Sequence, residues 1–238
     1  MEIRKILFVC LLLLLSAICS QALDNDKIVN YYKSFIKSNY GKDDVEVKVV
    51  DTETYKGFEV VKVEIGNNGG ATTKHFMFVK DNFIFDDIYD LNSAQSLRES
   101  LVKDSILKKA KELKEYHKLG KGDKQKWLFL DTECSHCKNE IKNISEILKD
   151  TSVNIVLLNI VGGEYGAVKT VHLEKELKGK KNDKDKVAVI EKYFNYNLFD
   201  LQATKEEIEA IRNRSKKFVE LGLEYVPFII DIEQGLSK

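Results

Sequence analysis

The fold is decided by one stretch of the sequence, Lys126-Trp127-Leu128-Phe129-Leu130-Asp131-Thr132-Glu133-Cys134-Ser135-His136-Cys137. Its first half is apolar and is typical of a buried strand, and a C-x-x-C pair follows at once. Two cysteines at this spacing at a helix start can close a small disulfide ring. The first one sits where backbone N–H groups and the helix dipole favour an anion. We therefore predict a strand followed by a redox-active helix that Cys134 opens.

The spacing predicts a different role for each residue of the pair. We expect the thiolate of Cys134 to attack a disulfide, and Cys137, deeper in the first turn, to resolve the mixed disulfide. His136 lies between them and is expected to stabilise the Cys134 thiolate, which makes the disulfide a stronger oxidant. Asp131 and Glu133 flank the site and can move protons, although such side chains are more often solvated neighbours.

The chain has a single proline, Pro227, which stands between Val226 and a predicted strand over Phe228–Ile232. A Val-Pro before a later strand, together with a C-x-x-C after an apolar strand, is what a thioredoxin-type active site needs. In such a site Pro227 is cis and close to Cys134, and the Val226 backbone is free to pair with an extended substrate peptide. The alternative is an ordinary trans proline at a strand start.

Other uses of the cysteine pair are less well supported. A zinc site needs two more ligands, and His75, His117 and His172 lack metal-ligand spacing. Covalent haem attachment needs a histidine directly after the pair, where Lys138 stands. An inert structural disulfide stays open. We predict no metal and no cofactor.

The N-terminus has the pattern of an export signal. Arg4 and Lys5 precede the apolar run Ile6–Ile18, and small residues end the segment at Ala22. We predict a cleaved signal peptide over residues 1–22, because the run is too short to span a membrane. The alternative is an uncleaved anchor. Export implies an oxidising compartment, which we expect to be the periplasm.

Composition and charge add little to the functional assignment. The remaining two cysteines, Cys10 and Cys19, lie in the predicted leader, so the mature chain keeps only the C-x-x-C pair. The sequence carries 38 basic and 38 acidic residues. This balance gives no indication of nucleic-acid binding.

Residues 23–92 are predicted to form a small α+β domain. A helix over Asp26–Tyr40 carries one apolar stripe and ends at Gly41. Its stripe consists of Ile28, Tyr31, Tyr32, Phe35 and Ile36. Four strands of an antiparallel sheet follow, over Val45–Val50, Phe58–Ile65, Lys74–Val79 and Phe83–Ile88.

Residues 93–122 are predicted to form a linker helix, capped by Ser93 or Ser96 and reaching Leu119. It is either a rigid spacer or packs on one domain. Residues 123–238 form the second, α/β domain. Its predicted order is a strand, a helix from Cys134 to about Lys149, a strand over Val153–Val161, a helical insert over about 164–224, and the Val-Pro strand. The helices of the insert are predicted over 167–177, 184–194 and 205–221, the last with a Thr204–Glu207 capping box.

The sequence resembles the periplasmic thiol:disulfide interchange proteins of the DsbC/DsbG type over nearly all of the mature chain. Three segments carry the resemblance: His75–Val79 through Asp86–Leu91, then Phe129–Cys137, then Gly222–Pro227. The resemblance implies an N-terminal dimerisation domain, a linker helix and a thioredoxin-like catalytic domain. It implies a homodimeric isomerase or oxidase that acts on exported proteins. In it Cys134 is the nucleophile, Cys137 the resolving cysteine and Pro227 the cis proline.

Some features depart from that pattern. Ser135-His136 and the valine before Pro227 are more similar to DsbA, a monomeric oxidase. Only Glu233–Lys238 follow the Val-Pro strand, so the hairpin strand and final helix of the fold are expected to be missing, with an open sheet edge. Three functions stay open: an isomerase, a disulfide-donating oxidase, and a redox-independent periplasmic chaperone. The expected partners are unfolded or misoxidised exported proteins, a membrane redox partner that reduces or oxidises the pair, and a second copy of the chain.

Overall fold

The computed structural model describes residues 24–67, 72–197 and 200–232. The predicted signal peptide and residues 233–238 lie outside this range. The chain forms two compact units, one ending at Asp87 and one beginning at Ile88. No helix within the described residues is long and apolar enough to cross a bilayer.

The first unit is a four-stranded antiparallel sheet with one helix, as predicted. Helix α1 (Asn25–Tyr40) begins after Asp24, whose carboxylate accepts the N–H groups of Asp26 and Lys27, and it ends at Gly41 with φ 65°. The strands lie in chain order and are β1 (Val45–Tyr55), β2 (Phe58–Asn67), β3 (Thr72–Lys80) and β4 (Phe83–Phe85). Polar side-chain and glycine caps of this kind set the helix bounds.

The apolar stripe of α1 is only partly buried. Ile28 packs with Val61, Val63 and Met77 of the sheet, and Tyr32 covers this core from its edge. Tyr31 and Phe35 of the same stripe are 45% and 44% exposed. Periodicity correctly located the helix but overestimated the width of its buried face, because one sheet face covers only a narrow strip of a helix.

The predicted linker helix is shorter than expected, which corrects the range Ser93–Leu119. Helix α2 (Leu97–Leu113) begins after Ser96, which accepts the N–H of Glu99, and it belongs to the second unit. Lys114 ends it in the left-handed conformation, with φ 55°. The helix was expected to end at Gly120 because the left-handed residue that ends a helix is usually a glycine.

The chain after α2 is instead a strand of the second sheet. β5 (His117–Leu119) pairs antiparallel with β7 (Thr151–Leu158), which in turn lies parallel to β6 (Lys124–Asp131). β8 (Phe228–Ile232) pairs antiparallel with β6, so that the strand order is β5-β7-β6-β8. β8 is therefore an edge of the sheet that the described residues form, as predicted for that strand.

Helices connect the strands of this sheet. The parallel pair β6–β7 needs a crossover, and α3 (Ser135–Lys142) and α4 (Ile144–Ile147) supply it. A single helix was predicted here, but it breaks at Asn143, where φ is −96° and ψ is 1°.

The helical insert between β7 and β8 is present. It consists of α5 (Gly163–Lys178), α6 (Asp183–Asn195) and α7 (Lys205–Val219). The capping box that begins α7 is confirmed: the N–H of Glu207 donates to Thr204 Oγ1, and the N–H of Thr204 donates to Glu207 Oε2, at 3.3 and 3.0 Å.

Candidate active site

The cysteine pair lies at the carboxyl end of β6, where a tight turn leads into α3. The N–H of Cys134 donates to the carbonyl of Asp131 at 3.1 Å, so that Cys134 becomes the N-cap of the helix. The N–H of Cys137 donates to Cys134 Sγ at 3.4 Å. Cys134 is 7% exposed and Cys137 is completely buried, and both are free thiols. The arrangement leaves Cys134 as the sulfur nearer to solvent.

The Val-Pro segment lies against Cys134, as predicted. The Val226–Pro227 peptide bond is cis. The thiol of Cys134 donates to the Val226 carbonyl over a sulfur–oxygen distance of 3.2 Å. The tertiary fold thus joins two segments 92 residues apart. The Val226 carbonyl thus accepts one hydrogen bond in the dithiol, and its pairing with a substrate peptide stays a prediction.

The environments of the two thiols differ. Burial raises the pKa of the Cys137 thiol far above its ordinary range. A hydrogen bond with the Asp131 backbone opposes this increase, and the contact with Cys134 and the negative charge of Asp131 add to it. Desolvation disfavours a thiolate in this way because the charged form loses its water. Cys137 therefore stays protonated at neutral pH. His136, between the two cysteines in sequence, is exposed on the first turn of α3.

Asp131 is buried and fully hydrogen-bonded, which corrects its interpretation as a solvated neighbour. Its Oδ1 accepts the N–H of Glu133 at 2.8 Å. Its Oδ2 accepts the N–H groups of Ile160, Val161 and Gly162 at 2.6, 2.8 and 3.2 Å. Because these three N–H groups donate to a side chain, they are not paired with a neighbouring strand. β7 therefore ends at Leu158 instead of the predicted Val161.

Glu133 is also more enclosed than expected. Its carboxylate pairs with the ammonium of Lys169, on α5, at 2.7 Å. The Lys169 side chain is completely buried, and the Glu133 side chain is 23% exposed. Two glycines permit this contact: a Cβ on Gly162 or Gly166 would lie 3.0 or 3.3 Å from Glu133 Cγ.

Sequence reasoning missed Lys169 and the loop that Asp131 holds. The one local signal is the small-residue run Gly162-Gly163, followed by Gly166, since glycines often permit close backbone approach. Nothing in the sequence pairs that run with Glu133. Within the described part of the chain, no group of three or more His, Cys, Asp or Glu side chains could hold a metal ion.

No protein-family model matches this sequence, and a search of curated proteins gives no match. Among solved structures, DsbG of Helicobacter pylori has a TM-score of 0.50 and 18% identity over 85% of this chain and 100% of that one. The thiol-disulfide exchange protein α-DsbA2 of Wolbachia pipientis has a TM-score of 0.41 and 19% identity over 58% and 88% of the two chains. The catalytic domain of ScsC from Proteus mirabilis has a TM-score of 0.41 and 17% identity over 54% and 85%.

The match to DsbG extends over both units, and its identity level supports a statement about fold alone. The predicted resemblance is confirmed in this respect: the chain has the thioredoxin-like mixed α/β fold of a DsbG-type protein.

Proposed function

We propose that the protein is a dithiol–disulfide oxidoreductase that acts on the disulfides of exported proteins. One observation carries the proposal: the sulfur of Cys134 sits at a helix N-cap, 3.2 Å from the carbonyl that precedes a cis proline. A helix N-terminus stabilises a thiolate, and the neighbouring backbone offers a place for an extended peptide. The buried, protonated Cys137 completes a nucleophile and resolving pair.

The reaction then follows from thiol–disulfide exchange. The Cys134 thiolate attacks a substrate disulfide, the substrate S–S bond breaks, and the departing sulfur takes up a proton. Cys137 loses its proton and attacks Cys134 in the mixed disulfide, which forms the Cys134–Cys137 disulfide and releases the second substrate thiol. Two electrons pass from the protein to the substrate, and the reverse sequence donates the disulfide.

The hydrogen bond to Val226 is expected to act during the first step. It needs the S–H of Cys134, so it is lost when Cys134 becomes a thiolate or a mixed disulfide. The Val226 carbonyl is then available to accept an N–H from the substrate backbone. Pairing with an extended peptide becomes possible at the moment when the sulfur attacks.

The direction of electron flow and the location belong to the proposal. A membrane partner that keeps the pair reduced makes the protein an isomerase or reductase in the periplasm. In an isomerase a second substrate thiol resolves the mixed disulfide, so that Cys134 leaves as a thiolate and no net electrons are transferred. Electron flow from substrates to the pair makes it an oxidase. Alkylating the thiols in intact cells separates the two: a mostly reduced pair supports the isomerase, and a mostly oxidised pair supports the oxidase.

We also propose that the first unit pairs two chains. Its exposed aromatic side chains support this, since Tyr31 and Phe35 of α1 and Phe83 of β4 leave large apolar surfaces in contact with water. Light scattering at micromolar concentration tests it, and a monomer would contradict it.

The chemistry is tested by trapping the mixed disulfide. A Cys137→Ala variant should accumulate a covalent adduct with a disulfide-containing peptide, because no thiol resolves it. A Cys134→Ala variant should accumulate none, since its remaining thiol is buried and protonated. Equal adducts from both variants, seen on a non-reducing gel, would reject the assigned roles.

A further inference from the structure

The completely buried ammonium of Lys169 needs an explanation that the exchange chemistry does not supply. A buried cation is costly unless a partner of opposite charge and good geometry accompanies it. Lys169 has this partner in Glu133, at 2.7 Å, and Glu133 is bonded directly to the nucleophile Cys134 in the chain. The pair therefore joins a negative charge on the residue that directly precedes the nucleophile to a buried positive charge on α5.

Asp131 is a second carboxylate beside the cysteines. It accepts four backbone N–H groups, and its negative charge acts on the thiol of Cys137. The other titratable groups of the site are Cys137 and the exposed His136. The ring centre of Tyr165 lies 5.7 Å from Lys169 Nζ. Glu164, on the first turn of α5, points to Arg212 of α7 at 3.9 Å.

We propose that Lys169 is a positioning residue that balances the charge of the dithiol site by cancelling Glu133. Without Lys169, the Cys134 thiolate would form with an uncompensated carboxylate on the residue that precedes it. This deepens the proposed function and rests on it, because it concerns how readily the same dithiol accepts and donates electrons. A less stable thiolate favours the disulfide form and makes that disulfide a weaker oxidant.

The charges predict opposite effects for the two partners. In a Cys137→Ala background, where only Cys134 reacts, the rate of iodoacetamide alkylation is followed against pH. Lys169→Met should move the midpoint of the profile up by about one pH unit, since a like charge near a thiolate disfavours it by this order. Glu133→Gln should move the midpoint down. The double variant Lys169→Met/Glu133→Gln should have a midpoint within a few tenths of a pH unit of the Cys137→Ala parent.

A matched control removes a different buried cation. Arg214 is 6% exposed and pairs with Glu174 at 2.6 Å and Glu115 at 3.3 Å. Arg214→Met also removes a buried cation that pairs with carboxylates, and it should leave the alkylation midpoint of Cys134 unchanged. With both cysteines present, Lys169→Met should also lower the equilibrium constant for oxidising two glutathione molecules to their disulfide. We expect a decrease of about tenfold for each pH unit by which the alkylation midpoint rises.

Shifts in the same direction for both single variants, or no shift in either, would overturn the proposal. If circular dichroism shows that Lys169→Met does not fold, Glu133→Gln decides alone, and an unchanged midpoint rejects the idea. Alkylation needs no catalysis, so the two proposals fail separately. Suppose the two single variants shift the alkylation midpoint in opposite directions but the Cys137→Ala variant traps no mixed disulfide. This result would reject the oxidoreductase proposal and support the charge balance by Lys169.

Discussion

The two sheets of the molecule bury their strands to very different degrees. In β1 of the first unit, Val47 is the one buried residue among eleven, and most of the strand is exposed. In β7 of the second unit, all eight residues are buried. β1 is an edge strand of an antiparallel sheet, and β7 is a central strand with a parallel neighbour. Parallel strands are usually covered on both faces.

The difference explains why the chemistry lies in the second unit. A dry surrounding raises the pKa of Cys137 and makes the ion pair of Glu133 with Lys169 matter, because charges interact more strongly away from water. The first unit also buries residues of β2 and β3, such as Val61 and Met77, but its strand β1 is mostly exposed. Its exposed aromatic residues favour contact with another molecule instead.

The tight packing of the second unit should make Gly122 irreplaceable. A Cβ at this position would lie 2.0 Å from the carbonyl oxygen of Asp150, so the strand-connecting backbone must move. We expect Gly122→Ala to cost about 3 kcal/mol of unfolding free energy. Denaturation followed by the fluorescence of Trp127, the single tryptophan and a buried residue of this unit, measures it.

Gly179→Ala is the control for that experiment. A Cβ on Gly179 would meet its nearest neighbour at 3.6 Å, an ordinary contact, and φ is −82°. It should change the stability by less than about 0.5 kcal/mol. Equal costs at the two glycines would contradict the view that close backbone approach dominates here.

The contrast between the strands can be tested with one residue type. Val156 of β7 is 1% exposed, and Val50 of β1 is 42% exposed. Val156→Ala should lower the unfolding free energy by about 2 kcal/mol, through lost burial and the cavity that remains. Val50→Ala should lower the unfolding free energy by no more than about 0.5 kcal/mol. Calorimetry of the two variants measures both effects, and similar losses would break the comparison.

Burial of Cys137 should make the dithiol form sensitive to alkaline pH. Its pKa is raised in the folded state, so the stabilisation is complete below the ordinary cysteine pKa of about 8.5 and is lost as the pH rises above it. We expect a loss of up to about 1 kcal/mol between pH 8 and 9.5. Cys137→Ala should reduce this decline, and an identical decline in denaturation curves would contradict the assignment.

The smallest expected effect concerns His117 on β5. Burial lowers its pKa, and the cations Arg214, Lys186 and Lys178 act in the same direction against Glu174. A lowered pKa means that stability is present above the unfolded value of about 6.5 and is lost as the pH falls below it. The loss at pH 5.5 should be less than about 1 kcal/mol.

Two histidine variants check this interpretation by thermal unfolding at pH 7.5 and 5.5. His117→Gln should reduce the loss on acidification. His75→Gln, at an exposed position of β3 in the first unit, should leave it unchanged. The opposite ranking would show that the acid response comes from the first unit.

Much of the fold follows from local patterns. The turn from β6 into α3, the capping box at Thr204 and the order from β6 through the helical insert to β8 were predictable from apolar periodicity and capping residues. The cis Val226–Pro227 bond was predictable because a Val-Pro before a strand, together with the C-x-x-C after an apolar strand, is the pattern of a thioredoxin-type site. The errors fall where a partner is distant. Strand β5 was read as helix because its pairing with β7 has no local signal.

The sequence by itself determined which residues can carry redox chemistry, since only Cys134 and Cys137 remain beyond the predicted leader. Only the tertiary structure decided how their surroundings act on them. Asp131 and Glu133 are of residue types that usually lie at the surface. Asp131 is nevertheless enclosed by the loop after β7, and Glu133 pairs with Lys169. The physical reason is that burial and charge pairing depend on segments far apart in the chain. Periodicity and spacing report only on neighbours along it.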